Sequence, residues 1–168
     1  MSDPVRAAYA AGLAMLARRE LAEAQIRERL RRKGHETEAV DAAVARLRAV
    51  RAVDDRRVAV SAARTEAQVR SRGRGYVLRR LQSMGIAPDL AAEVVDEVFG
   101  ALDEAALLER ALARRLRGPN ACIRDAAHFR RLYQQLVRQG FSSSAIVSAL
   151  KARARREAIV DEEEPGQE

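Results

Sequence analysis

The sequence predicts an all-α protein, and three observations carry that prediction. Ala, Arg, Leu and Glu dominate the 168 residues, and their side chains lose little freedom in a helix. Aromatics make up only 4% with no Trp, and no stretch alternates apolar and polar residues as a half-buried strand does. The third observation is a refrain of an apolar residue, a leucine four positions on and a glycine four beyond. It reads Ile26, Leu30, Gly34, then Val77, Leu81, Gly85, then Leu132, Leu136, Gly140. A glycine just past an apolar helical stripe marks a helix C-terminus. Three such marks predict three tandem three-helix repeats.

The expected boundaries are 1–51, 52–102 and 103–158. In the first repeat, Asp3 and Pro4 start a helix whose face is Val5, Tyr9, Leu13 and Leu16. The helix ending at Gly34 follows, then one carrying Val40, Val44 and Leu47. In the second, Asp54 caps a helix reaching about Ser71 with a thin stripe of Val58, Ala62 and Val69. The helix ending at Gly85 and one with Leu90, Val94 and Val98 complete it. In the third, Asp103 caps a helix with Leu108, Leu112 and Leu116, closed by Gly118-Pro119. The helix ending at Gly140 and one with Ile146 and Leu150 follow. "GRG" at 73–75 and "RGPNAC" at 117–122 read as flexible joints, and 159–168 as an acidic, disordered tail. A triplet of ~50 residues buries too little surface alone. The repeats are therefore expected to stack into an elongated, curved array of right or left hand.

Charge narrows the function classes. The net charge is +7, and the last eight residues hold five acids and no base, leaving +12 on residues 1–160. A body that basic points to a polyanion nearby. All the bases except Lys33 and Lys151 are arginine. Nothing reads as catalytic, and no cofactor or metal is expected. His35 and His128 have no nucleophile at a motif spacing, and Gly73 and Gly75 lack the Gly-Lys-Ser/Thr ending of a phosphate loop. Cys122 is the one cysteine, so neither a disulfide nor a zinc site is expected. Asp54-Asp55 reads as a helix cap followed by a first-turn acid. No apolar run approaches the ~20 residues of a membrane span. A soluble, cytoplasmic monomer with no membrane and no small-molecule substrate is the expectation.

The arginines recur with the repeats. Arg27, Arg31, Arg32 and Lys33 lie on the helix ending at Gly34, Arg79 and Arg80 on that ending at Gly85, and Arg130, Arg131 and Arg138 on that ending at Gly140. Cations in a last turn complement the helix dipole, which accounts for Arg31, Arg32, Lys33 and Arg138. The others sit one or more turns earlier, so a basic stripe for a partner is expected, with Gly34, Asp54, Gly85 and Gly140 as the structural caps. Aromatic platforms for bases are missing from this stripe. Tyr76 is the one surface candidate, Phe99, Phe129 and Tyr133 fall at core spacing, and Phe141 closes a helix cap. The pattern supports attraction to phosphates without base recognition.

Taken in order, "LAMLARRELAEAQIRERLRRKGHETEAVDAAVARL", "VDDRRVA", "RSRGRGYVLRRLQSMGI" and "FRRLYQQLVRQGFSSSAIVSAL" resemble the bacterial RecX family, regulators of the RecA recombinase. The resemblance runs from about residue 5 to 153. Two departures stand out. The family's Ser/Thr cap of the second helix, with Glu three residues on, is replaced by Ala22 and Gln25, and Val53 and Val58 flank the aspartates where larger residues are usual. The resemblance implies a negative regulator that binds the RecA filament on single-stranded DNA, in its helical groove or at its growing end. It implies inhibition of ATP hydrolysis, strand exchange and SOS coprotease activity, with at most weak direct DNA contact. The alternative is a direct DNA-binding helical-repeat protein that competes for the strand.

Overall fold

The described residues fold into helices because their apolar positions recur at helical spacing between caps, and no strand forms among them. The computed structural model describes residues 3–116 and 122–163, with side chains through Arg155. The helices are α1 (Asp3–Leu16), α2 (Glu23–Arg32), α3 (Thr37–Ala49), α4 (Asp55–Arg64), α5 (Arg74–Ser83), α6 (Pro88–Gly100), α7 (Glu104–Ala113), α8 (Ala126–Arg138) and α9 (Ser143–Glu163). A π-helical turn, Thr65–Val69, continues α4. Two compact units form: Met1–Arg64 with Leu78–Val98, and Thr65–Val77 with Phe99–Glu168. All three points at which the chain passes from one unit to the other fall inside the middle repeat expected at 52–102. The refrain in the sequence and the compact bodies in space therefore do not coincide.

In the first unit α1 packs on α3, and α2 on both. Ile26 and Leu30 of α2 meet Val40, Val44 and Leu47 of α3 in one core that Leu21 and Val53 extend. The face of α1 differs from the expected stripe. Ala8 and Gly12 are buried, while Leu13 is 40% exposed. A Cβ on Gly12 would lie 2.7 Å from Leu47 Cδ1, so small residues let α3 approach α1 closely and rotate Leu13 outward. The α4 register departs too. Val58, Ala59 and Ala63 are buried and then Ala67, whereas Val69 is 65% exposed. The i→i+5 turn adds a residue and rotates the stripe by about a third of a turn.

In the second unit α7, α8 and α9 pack on one another. "GRG" is a close crossing of two backbones, not a loose joint. Gly73 N–H donates to Gln139 O at 2.8 Å and Gly75 N–H to Gly140 O at 3.0 Å. A Cβ on Gly73 would stand 2.5 Å from Gly140 O and 2.7 Å from Phe141 N. Beside this crossing lies a buried polar cluster. Glu66 accepts from Arg70 Nη1 at 2.8 Å, and Gln139 presents its carbonyl to Arg72 Nη1 at 3.2 Å and Arg115 Nη1 at 3.1 Å. Burial, and then the charge of Arg72, pull the Arg115 guanidinium below its ordinary pKa. Of the segments expected to be flexible, residues 117–121 and 164–168, with Gly118-Pro119, lie outside the described residues. The backbone of α9 is helical to Glu163, into the stretch expected to be a disordered tail; Ala, Arg and Glu favour that continuation.

Candidate functional site

The candidate basic residues lie on three helices, α2, α5 and α8, that close with the same kind of helix end, although Arg130 and Arg131 sit near the start of α8. His35 N–H donates to Leu30 O (3.2 Å) and Gly34 N–H to Arg31 O (2.9 Å). Ile86 and Gly85 repeat this to Leu81 and Gln82 at 3.2 and 2.9 Å, and Phe141 and Gly140 to Leu136 and Val137 at 3.3 and 2.9 Å. This is the Schellman pairing. The glycines carry φ of +85, +83 and +87°, a region where a Cβ is strained. The chain uses the motif a fourth time without glycine. Ala52 and Arg51 donate to Leu47 O and Arg48 O, each at 2.9 Å, with Arg51 at φ +54°.

Most of the sequence-picked cations are outward. Arg31, Arg32, Lys33, Arg79 and Arg80 are exposed in the first unit, and Arg130, Arg131 and Arg138 in the second. Arg27 departs from the stripe. It is half-buried, its Nη2 lies 2.9 Å from Glu23 Oε1, and its Nη1 pairs with Asp41 of α3. Two carboxylates neutralise it, so it orders α2 against α3. Sequence spacing alone gave no sign of Asp41, which reaches Arg27 only through the packing of the two helices.

On the other flank of α2 the structure gathers three cations that sequence reasoning passed over, Arg18, Arg19 and Arg29, beside two that it picked. Arg18 and Arg19, just past α1, join Arg29, Arg32 and Lys33 around a depression of about 560 Å³ with Met15 in its lining. No acid lines it. The nearby carboxylates are engaged elsewhere: Glu20 accepts from Arg57 Nε at 2.6 Å, and Glu23 pairs with Arg27 and Arg48. Glu28, four residues before Arg32, is exposed and forms no ion pair with it. The available signal was Arg29 and Arg32, three apart on one helix flank, and the adjacent Arg18-Arg19. What the sequence hid was the turn that folds α1's end against α2.

The aspartate pair divides its labour. Asp54 Oδ1 accepts from Arg57 N–H at 3.0 Å and caps α4. Asp55 Oδ1 instead accepts from Glu23 N–H at 2.7 Å, so it caps α2 across 32 residues of chain. This supplies the acceptor that Ala22 lacks, while Gln25 Oε1 accepts from Ala22 N–H at 3.2 Å. Burial pushes the Asp55 carboxyl above its ordinary range, more than the Glu23 N–H pulls it down, and the charges of Glu23 and Asp54 add to the push. Among the described residues there is no cluster of His, Cys, Asp or Glu that could hold a metal, and no helix long and apolar enough to cross a membrane.

Residues 8–47, which contain α2 and its end, match the family model described as RecX, first three-helix domain. A regulatory protein RecX of Syntrophotalea carbinolica is 30% identical over 142 residues, covering 83% of this chain and 91% of that protein. This chain belongs to the RecX family. A RecX of Geobacillus kaustophilus is also 30% identical, over 149 residues, or 89% of this chain and 55% of the relative. The chain thus spans about half the length of that relative. A crystal structure of regulatory protein RecX aligns with TM-score 0.73 at 24% identity, covering 89% of this chain and 72% of the other. RecX from Lactobacillus salivarius aligns with TM-score 0.70 at 19% identity, covering 90% and 99%. The all-helical RecX fold is shared with both.

Proposed function

We propose that this RecX chain is a cytoplasmic, monomeric, non-enzymatic negative regulator of RecA that acts on the RecA filament assembled on single-stranded DNA. One observation carries the reading: the helix end that recurs at Gly34, Gly85 and Gly140 holds exposed arginines each time, in a chain of the RecX family. In this reading each of three repeats, 1–51, 52–102 and 103–158, supplies one such end. Arg31, Arg32 and Lys33, Arg79 and Arg80, and Arg130, Arg131 and Arg138 are the contacts, and Arg27 is structural. Rigid helix ends hold their charges at fixed places, and the DNA within a filament supplies the attracting field. Filament contact slows ATP hydrolysis and strand exchange, along the groove or at the growing end, without chemistry by the regulator.

The purified chain should slow single-stranded-DNA-dependent ATP hydrolysis by RecA at stoichiometric or lower amounts. An unchanged rate across salt conditions sinks the proposal. Reversing Arg79 and Arg80 to Glu should weaken the inhibition, and Arg27→Ala should change it little once folding is verified by circular dichroism.

A further inference from the structure

The α8–α9 hairpin ends in a distribution of charge that its packing does not require. The two helices pack on each other and are joined by four residues, 139–142, so they run antiparallel. Because α8 has 13 residues and α9 has 21, the end of α9 overruns the start of α8, by about 12 Å of helix. At this open end the exposed cations Arg124, Arg130 and Arg131 accompany Lys151 and Arg155 of α9, exposed as well. Arg130 Nε donates to Ala126 O at 3.3 Å, which keeps its guanidinium beside the first turn of α8. Asp125 is close to Arg131, but its Oδ1 is engaged in capping, accepting from His128 N–H at 2.6 Å.

The sequence segregates the two signs along this hairpin. Residues 126–156 hold seven Lys and Arg and no acid, and residues 157–168 hold six acids and no base. The acids are poorly placed in a helix. Asp161, Glu162 and Glu163 fall in the last turn of α9, which has no base, and carboxylates there oppose the helix dipole. Unwinding that weak turn frees residues 161–168, eight residues that span about 26 Å when extended. The whole of α8 is about 20 Å long, so the freed segment reaches every cation at the open end. Its tether also holds the acids at a local concentration that a free peptide attains only in the millimolar range.

We infer that residues 161–168 fold back on the cations at the open end of the α8–α9 hairpin and act as an intramolecular electrostatic brake. The contact itself stands on the hairpin's charge and geometry. Its regulatory consequence rests on the filament reading, in which Arg130 and Arg131 are contacts that the tail covers. A tail docked nine-tenths of the time raises the partner's apparent Kd about tenfold.

The contact is read in the full chain through Cys122, the one cysteine, which precedes the cap of α8. A nitroxide on Cys122 should broaden the amide signals of residues 161–168 at about 10 mM salt, and about 1 M salt should restore them. Combining Arg130→Glu with Arg131→Glu should restore them at low salt. Broadening that ignores both salt and charge reversal, or no broadening at all, overturns the contact.

The brake is read by combining Asp161→Asn, Glu162→Gln, Glu163→Gln and Glu164→Gln. This variant should half-inhibit RecA ATP hydrolysis at a concentration roughly 3- to 10-fold lower than wild type. Added net charge alone would raise potency in any background. With Arg130→Ala and Arg131→Ala also present, the gain should shrink below about twofold. An undiminished gain there, or no gain in the first comparison, overturns the brake. A wild-type chain that leaves RecA unaffected while Cys122 still reports the tail means that the filament reading fails and the contact stands. Inhibition intact with no tail signal means the reverse.

Discussion

The helix ends at Gly34 and Gly140 use the same two backbone hydrogen bonds and nearly the same φ, yet their surroundings are opposite. A Cβ on Gly34 would meet nothing within 4 Å. One on Gly140 would run into Tyr76, 2.7 Å from its Cβ and 2.8 Å from its Cα. The end at Gly85 is intermediate: a Cβ there would strike the Ala24 Cβ, with the Ala24 Cα only at ordinary contact distance, 3.7 Å. A repeated motif has thus been put to two uses. In the second unit the helix end is a packing surface, and the glycine admits another backbone. At Gly34 the end stands clear, so its glycine serves the turn alone and its neighbours Arg32 and Lys33 are left to line an open basic depression.

The comparison breaks most visibly at Gly140. Gly140→Ala combines left-handed strain with a collision against backbone and should cost more than ~3 kcal/mol, read from urea denaturation followed by far-ultraviolet circular dichroism. Gly73→Ala separates the two causes, since its obstacles are Gly140 O and Phe141 N and its φ is not positive. A comparable loss there assigns the cost to the collision. A loss under ~1 kcal/mol at either position would show that the crossing yields easily and that the two helix ends are energetically alike.

Gly85→Ala should cost about 2 kcal/mol, strain plus a repulsion from Ala24 that α2 can partly relieve. Because the obstacle is one methyl group, Ala24→Gly should recover part of the loss in a double-mutant cycle. Additive costs would place the whole effect in the backbone conformation.

The start of α2 gives the next smaller effect. Asp55→Ala leaves the Glu23 N–H without its acceptor and should cost about 1–2 kcal/mol. Asp55→Asn keeps an oxygen for that N–H and removes a carboxylate whose ionisation burial and its acidic neighbours oppose. The folded pKa is raised, so the folded state binds the proton more tightly than the unfolded state. This contribution to stability is whole below the ordinary carboxylate pKa and is lost as pH rises through the folded value. The Asn variant should therefore gain on wild type as pH rises through that window. Equilibrium unfolding at several acidic pH values checks the sign, and a gain confined to the lowest pH would contradict it.

How much of this was legible in the sequence follows from the range of each interaction. The Schellman ends needed only a stripe and a glycine within nine residues, and Ile26, Leu30, Val44 and Leu47 all reach the core through helical spacing. The cap at Asp103 is equally local, its Oδ1 accepting from Ala105 and Ala106 N–H. The π-helical turn was not legible, because Thr65–Val69 carries no residue pattern that demands an i→i+5 bond, and Val69 was placed on the wrong face. The pairing of Arg27, the second role of Asp55 beyond its place in the first turn of α4, and the Gly73 crossing were hidden for another reason. Their partners lie 14, 32 and 66 residues away in the chain, and no periodicity connects such positions. The depression needed Arg18-Arg19 to fold back on α2, so the candidate site was half visible.

The smallest effect is the sharpest test of the comparison. Gly34→Ala should cost only about 1 kcal/mol, the strain of a Cβ at positive φ with nothing to strike. Gly34→Asn should cost less still, roughly half that, because asparagine enters the left-handed region readily. The chain already holds a precedent. Arg51 closes α3 with the same pair of hydrogen bonds at φ +54°, so a side chain is tolerated at this turn wherever space is open. At Gly140 the same Asn must fail as badly as Ala, since conformational preference does nothing for a collision with Tyr76. A mild Asn at Gly34 beside a severe one at Gly140 would establish that surroundings, and not the motif, set the cost of these helix ends. Equal costs would return both glycines to a common backbone requirement.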